Sequence, residues 1–216
     1  MFKSKNVLYA TALAGLFLLS SCGDDKKEKE EQQRIETERI DLENAQKVQR
    51  ETEAKEAKEA EMKEEARTNS IAGKALINED LSTLSNAVQI AGLSNILYEP
   101  GEYTLFAPSN QAFEKMSQKK RDELMKPENK EQLGEILSYH MVHGVITSDQ
   151  LAQAIKGGNG SYTFKTVTGG ELTATMKGDQ FVIKDGSGKK AQVILGNVPA
   201  SNGIVYIIDT VLMAKK

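Results

Sequence analysis

Asn202-Gly203-Ile204-Val205-Tyr206-Ile207-Ile208-Asp209-Thr210-Val211-Leu212 stands just before the C-terminus. Asn-Gly is a tight-turn pair, and here it feeds an unbroken apolar run, Ile204–Ile208, of strand type. Working back along the chain, Val193–Leu195 is a second such run. Phe181 and Ile183, then Leu172, Ala174 and Met176, then Ser161–Val167 around Tyr162 and Phe164, alternate with polar residues. Asp185-Gly186-Ser187-Gly188, Lys177-Gly178-Asp179 and Gly169-Gly170 separate these runs. Short alternating runs divided by glycine turns predict an antiparallel meander.

Upstream of Gly160 the period is helical. Leu81, Leu84, Val88 and Ala91 recur at i, i+3, i+7 and i+10, with Gly92 as a stop. Leu133, Ile136, Leu137, His140 and Met141 predict a second amphipathic helix, with His140 on its apolar face. Thr147-x-x-Gln150 is a capping box for a short helix carrying Leu151, Ala154 and Ile155, closed by Gly157-Gly158. Thr104–Ala107 alternates as a strand, and Pro108, lacking an N–H, ends its pairing. Ser109 or Asn110 then caps a helix that buries Phe113 and Met116. Helices first and strands after define an α+β class, a small antiparallel β-sandwich or meander decorated with short helices.

The core has to come from the second two-thirds of the chain. Asp24–Arg67 is 44 residues without an aromatic and holds five large aliphatics, Ile35, Ile40, Leu42, Val48 and Met62. That is too little apolar surface to offset chain entropy. This stretch carries 16 acids and 11 bases, net −5, whereas Thr68–Lys216 carries 15 of each. A neutral globular part argues against nucleic-acid binding, which needs clustered positive charge. One cysteine rules out an intramolecular disulfide, and one Cys with two His leaves too few nitrogen and sulfur ligands for an ordinary zinc site. No metal and no cofactor is expected.

The first residues bear on destination. Lys3 and Lys5 precede Val7–Leu19, an uncharged run of 13 residues, suited to a signal peptide and short for a membrane span. Leu19-Ser20-Ser21-Cys22 then resembles the bacterial lipoprotein lipobox. The resemblance implies cleavage before Cys22 and its acylation, with Cys22 an anchor rather than a nucleophile. Gly23-Asp24-Asp25-Lys26-Lys27-Glu28 directly after it looks like the acidic signal that some bacteria use to export lipoproteins to the cell surface. The expected organisation is a lipoprotein signal peptide over 1–21, the lipidated Cys and a charged stalk over 22–67, and a globular domain over 68–216.

Within the stalk, acid–base pairs fall at helical spacing: Glu30–Arg34, Glu43–Lys47, Glu51–Lys55 and Glu59–Lys63 at i,i+4, Glu36–Arg39 and Glu64–Arg67 at i,i+3. Ile35 and Leu42 are seven apart, but Gln49, Glu56 and Lys63 continue that series, so no coiled-coil seam is sustained. A solvated single helix and a partly disordered spacer both fit this composition better than an oligomerising coil.

Three segments carry a family resemblance. Thr104-Leu105-Phe106-Ala107-Pro108-Ser109-Asn110-Gln111-Ala112-Phe113 resembles the first motif of fasciclin-like domains. Leu137-Ser138-Tyr139-His140-Met141-Val142-His143-Gly144 resembles their Tyr-His segment, and Asn202–Leu212 their second motif. The match covers about residues 69–213, in the family's order. His143 stands where the family often has Pro, and Tyr206 where it often has His, which puts an inherited binding role near the Tyr-His segment in doubt. The motif residues Thr104, Phe106, Ala107, Pro108, Asn110, Phe113, Tyr139, His140, Asn202, Gly203 and Asp209 are read as mostly structural. No catalytic residue is assigned, and the protein is not expected to be an enzyme.

The resemblance implies a membrane-tethered module for cell adhesion or matrix contact, with protein or glycan partners and an acyl anchor in the membrane. The expected place is the bacterial cell envelope at the outer membrane. The alternative is a carrier of a small apolar, carotenoid- or lipid-like ligand, with Met116, Met125, Met141, Met176 and Met213 lining a pocket rather than filling the core.

Overall fold

The computed structural model describes residues 25–215. The chain divides into two units, Met1–Ala57 and Lys58–Lys216, with the boundary inside the first helix. That helix, α1 (Asp25–Thr68), is 44 residues long, and its side chains from Lys27 to Thr68 are exposed. Between the two readings left open by composition, it is a helix. Its rise corresponds to about 66 Å. Most of the expected ion pairs are not closed: in α1 Arg39 meets Glu36 at 3.0 Å, and Arg34 turns to Glu31 at 3.9 Å instead of Glu30. Water solvates exposed charges nearly as well as a partner does, so such pairs have little to gain.

The second unit starts with α2 (Ile71–Ile77), a 3-10 turn at Glu79–Leu81, α3 (Ser82–Ile90) and α4 (Ser94–Tyr98). Strand β1 (Tyr103–Pro108) follows, then α5 (Asn110–Glu114), α6 (Gln118–Leu124), α7 (Lys130–Tyr139) and β2 (Met141–His143). Helix α8 (Ser148–Gly157) leads into β3 (Ser161–Lys165), β4 (Glu171–Lys177), β5 (Gln180–Lys184), β6 (Lys190–Ala200) and β7 (Gly203–Ile208). The strands form one sheet in the order β2-β1-β7-β6-β5-β4-β3. Strands β3 to β7 are the expected meander.

The β1–β7 pairing was not legible from periodicity. It is parallel, in register from Tyr103↔Gly203 to Pro108↔Ile208. It brings two of the three motifs side by side. Leu105, Ala107, Val205 and Ile207 face a core shared with the helices. Phe106, Ile204, Tyr206 and Ile208 face a second core enclosed by the meander and α8. A strand buried on both faces has no polar face to show, hence the continuous run Ile204–Ile208. The sheet curls until its edges meet: Val142 of β2 bridges Thr166 just after β3, and the Val167 N–H donates to the Met141 carbonyl at 2.8 Å.

Two expectations need correction. The α7 helix ends at Tyr139, not at Met141. His140 is its C-cap, and Met141 pairs with Leu105 in β2 instead. Tertiary pairing takes precedence over a continuing 3.6 period. Val193–Leu195 is also not a plain buried run. Register shifts on either side of Leu195 break the alternation, leaving Ile194 and Leu195 both more than half exposed. The α8 capping box is as read, with the Thr147 hydroxyl accepting from the Gln150 N–H and the Gln150 side chain accepting from the Thr147 N–H.

Candidate functional site

The motif residues are brought together, but as a framework. Thr104 is fully buried; its hydroxyl donates to the Gly144 carbonyl at 2.7 Å and accepts from the Ile146 N–H at 3.0 Å. This ties the loop after β2 to β1. Phe106 stacks on Phe164 and Tyr206, with centroids 5.4 and 5.6 Å away. Ala107 is fully buried, Pro108 is the last residue of β1, and Phe113 fills the helical core. Ser109 is the cap of α5, through the Ala112 N–H, which leaves the Asn110 side chain free to reach another element. Asn110 accepts from the Thr83 N–H at 2.9 Å and donates to the Glu79 carbonyl at 2.8 Å, fastening the start of α3.

The Tyr-His segment is consumed in the same way. The Tyr139 hydroxyl donates to the Glu171 carbonyl at 2.7 Å and accepts from the Gly186 N–H at 2.9 Å. A Cβ at Gly170 would come 2.5 Å from the Tyr139 ring, so the turn there requires glycine. Both nitrogens of His140 are engaged: Nδ1 lies 2.7 Å from the Ile136 carbonyl, and Nε2 is 2.9 Å from the Leu212 N–H. The carbonyl needs a donor and the N–H an acceptor, which sets the neutral Nδ1–H tautomer. Burial pushes its pKa down to about 4, against the hydrogen bond to Ile136 and the charge of Asp185. His140 therefore has no nitrogen free to act as a base. His143 ends β2, exposed, its ring 5.6 Å from that of Tyr103.

The last motif interlocks three elements. Asn202 is buried; its side chain accepts from the Ile71 N–H at 2.8 Å and donates to the Leu97 and Glu99 carbonyls at 2.8 and 2.9 Å. A Cβ on Gly203 would come 2.0 Å from the Tyr103 carbonyl oxygen, which explains the glycine beside β1. Tyr206, fully buried, donates to the Ile146 carbonyl at 2.7 Å, and burial raises its pKa. Asp209 accepts from the Gln192 N–H at 2.7 Å and pairs with Lys115 at 2.7 Å. Burial alone would raise its pKa, but the hydrogen bonds from Lys115, Gln192 and Thr210 outweigh it and hold the carboxyl below its usual range.

Asp185 was not singled out from the sequence, though its Asp-Gly-Ser-Gly turn was. It is buried, accepts from the Lys189 N–H and the Ser187 hydroxyl at 2.8 Å, and takes the Met213 N–H at 2.8 Å. An aspartate opening a turn is suited to such bonds, and that was the available signal. Among the described residues no buried side-chain nitrogen or oxygen lacks a partner, and no group of three or more His, Cys, Asp or Glu is placed to hold a metal ion. Cys22 lies outside the described residues.

Several apolar side chains of the head are exposed. Leu76, Ile77 and Ile96 are 50, 72 and 45% exposed around α2 and α4. Beside them a depression of about 40 Å³ is lined by Ala72, Ala75, Val88, Leu97 and Tyr98. A wider, mixed groove of about 590 Å³ lies along α6, α7 and the C-terminal segment, lined among others by Lys120, Glu123, Leu124, Ile136 and Met213, within the roughly 300–1,000 Å³ that drug-sized ligands occupy. The methionines do not share a pocket: Met141 is in the helical core, Met116, Met125 and Met213 pack against that core, and Met176 packs against the other one.

The comparisons with known proteins agree with this architecture. The family model for the Fasciclin domain matches residues 79–214. The chain belongs to the fasciclin domain family. It is 39% identical to "Protein sll1483" of Synechocystis over 138 residues, 63% of this chain and 68% of that protein. It is 32% identical to the "Cell surface glycolipoprotein MPB83" of Mycobacterium bovis over 66% of this chain and 60% of that protein. A solved FAS1 domain pair from the insect cell adhesion molecule Fasciclin I has the same fold, with a TM-score of 0.61 at 19% identity, covering 67% of this chain and 51% of that one. No helix among the described residues is long and apolar enough to cross a membrane.

Proposed function

We propose that this is a lipid-anchored envelope protein whose fasciclin head mediates adhesion or surface contact without catalysis. Acylated Cys22 holds the chain in the membrane, and the charged stalk carries the head outward. The observation that supports this most is the pairing of two opposites. A 44-residue helix whose described side chains are all exposed follows the lipobox, and a head in which, among the described residues, every buried side-chain nitrogen and oxygen has a partner follows the helix. A helix polar all round buries nothing, so a spacer is the use that suits it. The motif side chains are spent on holding the head together, while its exposed surface remains available for contact. The similarity to a cell surface glycolipoprotein and to the fold of a cell adhesion molecule points the same way.

Weak contacts suffice in this arrangement, because many tethered copies on one cell convert later binding events into local ones. The test has two parts. Mass spectrometry of the mature protein is expected to find an acylated Cys22 at its N-terminus. Cells lacking the protein, or carrying Cys22→Ala, are expected to lose attachment or aggregation. Wild-type attachment by both strains would overturn the reading.

A further inference from the structure

The chain between Cys22 and the head passes through the end of α1, and that end is fastened to the head by more than a helix cap. Ser70 makes the local connection. Its hydroxyl donates to the Arg67 carbonyl at 2.6 Å and accepts from the Gly73 N–H at 3.1 Å, closing α1 and opening α2. A Cβ on Gly73 would lie 2.1 Å from the Thr68 carbonyl oxygen, so the corner between the two helices is tight. Two further contacts come from distant parts of the chain. The Ser201 hydroxyl, at the β6–β7 turn, donates to the Ala66 carbonyl at 2.6 Å, while the Ser201 N–H donates to the Asn69 carbonyl at 2.9 Å. The Arg67 guanidinium lies over the Tyr98 ring at 4.6 Å. A helix terminus needs acceptors and donors, but water or its own cap supplies them. Partners 135 residues away along the chain do something a cap does not.

They join the end of α1 directly to the turn that leads into β7, an inner strand of the sheet. Asn202, next to Ser201, holds Ile71, Leu97 and Glu99, and its carbonyl accepts from the Tyr103 N–H at 3.1 Å. Strand β7 begins one residue later and is paired on both sides. We propose that residues 66–70 with Ser201 and Tyr98 form a tension clamp, which passes a pull arriving through α1 into β7 and spares α2 from being peeled off the head. This rests on the tethered-adhesion reading for its use, but not for its measurement. Without the clamp, tension entering at Ile71 would act on a seven-residue helix and open its contacts one at a time. With it, the pull divides across the hairpin turn and the paired strands, whose bonds must yield together.

Single-molecule pulling of the mature chain tests this. The chain, with Cys22→Ser for defined attachment, is held at its C-terminus and pulled either from its N-terminus or from a thiol at Glu79→Cys, an exposed position that bypasses the clamp. Forced unfolding reads the unfolding rate rather than the equilibrium. The double variant Arg67→Ala/Ser201→Ala is expected to raise the unfolding rate at fixed load at least tenfold in the N-terminal geometry, with an early short extension from the release of α2. From residue 79 it should change the rate less than twofold. A rise of similar size in both geometries makes the contacts ordinary stability, and no rise from the N-terminus makes them idle; either result overturns the clamp. Adhesion plays no part in the readout, so a failed adhesion assay leaves this result standing, and a failed clamp leaves the adhesion reading standing.

Discussion

Helices α1 and α7 are made of the same backbone and held by different forces. In α1 every described side chain is exposed, including Ile35, Leu42 and Met62. Nothing in it is stabilised by burial, so it depends on the intrinsic propensity of Glu, Lys, Gln and Ala over a long run, where the nucleation cost is spread across many residues. The ten-residue α7 is too short to stand by that means, and it buries Leu133, Leu137 and Tyr139. The difference teaches where sequence changes matter: ahead of its last turn, which Ser201 and Tyr98 engage, α1 should tolerate almost any helix former, while the head should respond to single atoms.

The largest effect should come from the centre of the head. Phe106→Ala removes a ring stacked between Phe164 and Tyr206 and is expected to cost about 4 kcal/mol in urea unfolding. A loss near zero would mean that the second core is loosely packed, and the contrast with α1 would fail.

Acid should come next, through His140. Its folded pKa of about 4 lies below the ordinary value of 6.5. Between these values the unfolded chain binds a proton that the folded head refuses. The contribution is therefore complete above pH 6.5 and is lost as the pH falls toward 4, about 3 kcal/mol in all. Unfolding of wild type and His140→Gln across this range checks it, the variant having the flatter slope. Equal slopes would show that the imidazole is not held neutral.

A smaller change sharpens the comparison within the head's own helices. Thr147→Ala removes one side of the α8 capping box and should cost about 1 kcal/mol. The smallest effect belongs to α1. Leu42→Ala is expected to stay within about 0.5 kcal/mol and to leave helical circular dichroism unchanged. A clear loss there would reveal a contact with another chain and end the description of α1 as a solvated helix.

The elements legible in the sequence were those whose signals are local. The capping box at Thr147, the stop at Gly92 and the glycine turns of the meander each need only a few neighbouring residues. The motif residues were recognisable from the sequence, and each of them lies in a core, on a strand or in a hydrogen bond within the head. What each one holds was not legible, because Asn202 meets Leu97 and His140 meets Leu212 only after folding.

The amino-acid order alone settled that the core lies after residue 68, that Asp24–Arg67 could not build one, and that alternating runs at glycine turns would form a meander. Folding in three dimensions decided that β1 and β7 run parallel between two cores, that Met141 leaves its helix to become a strand, and that Ser201 reaches back to Ala66. Periodicity records which face of an element is buried; it carries no record of which distant element does the burying, since that depends on pairings between residues as much as 135 apart.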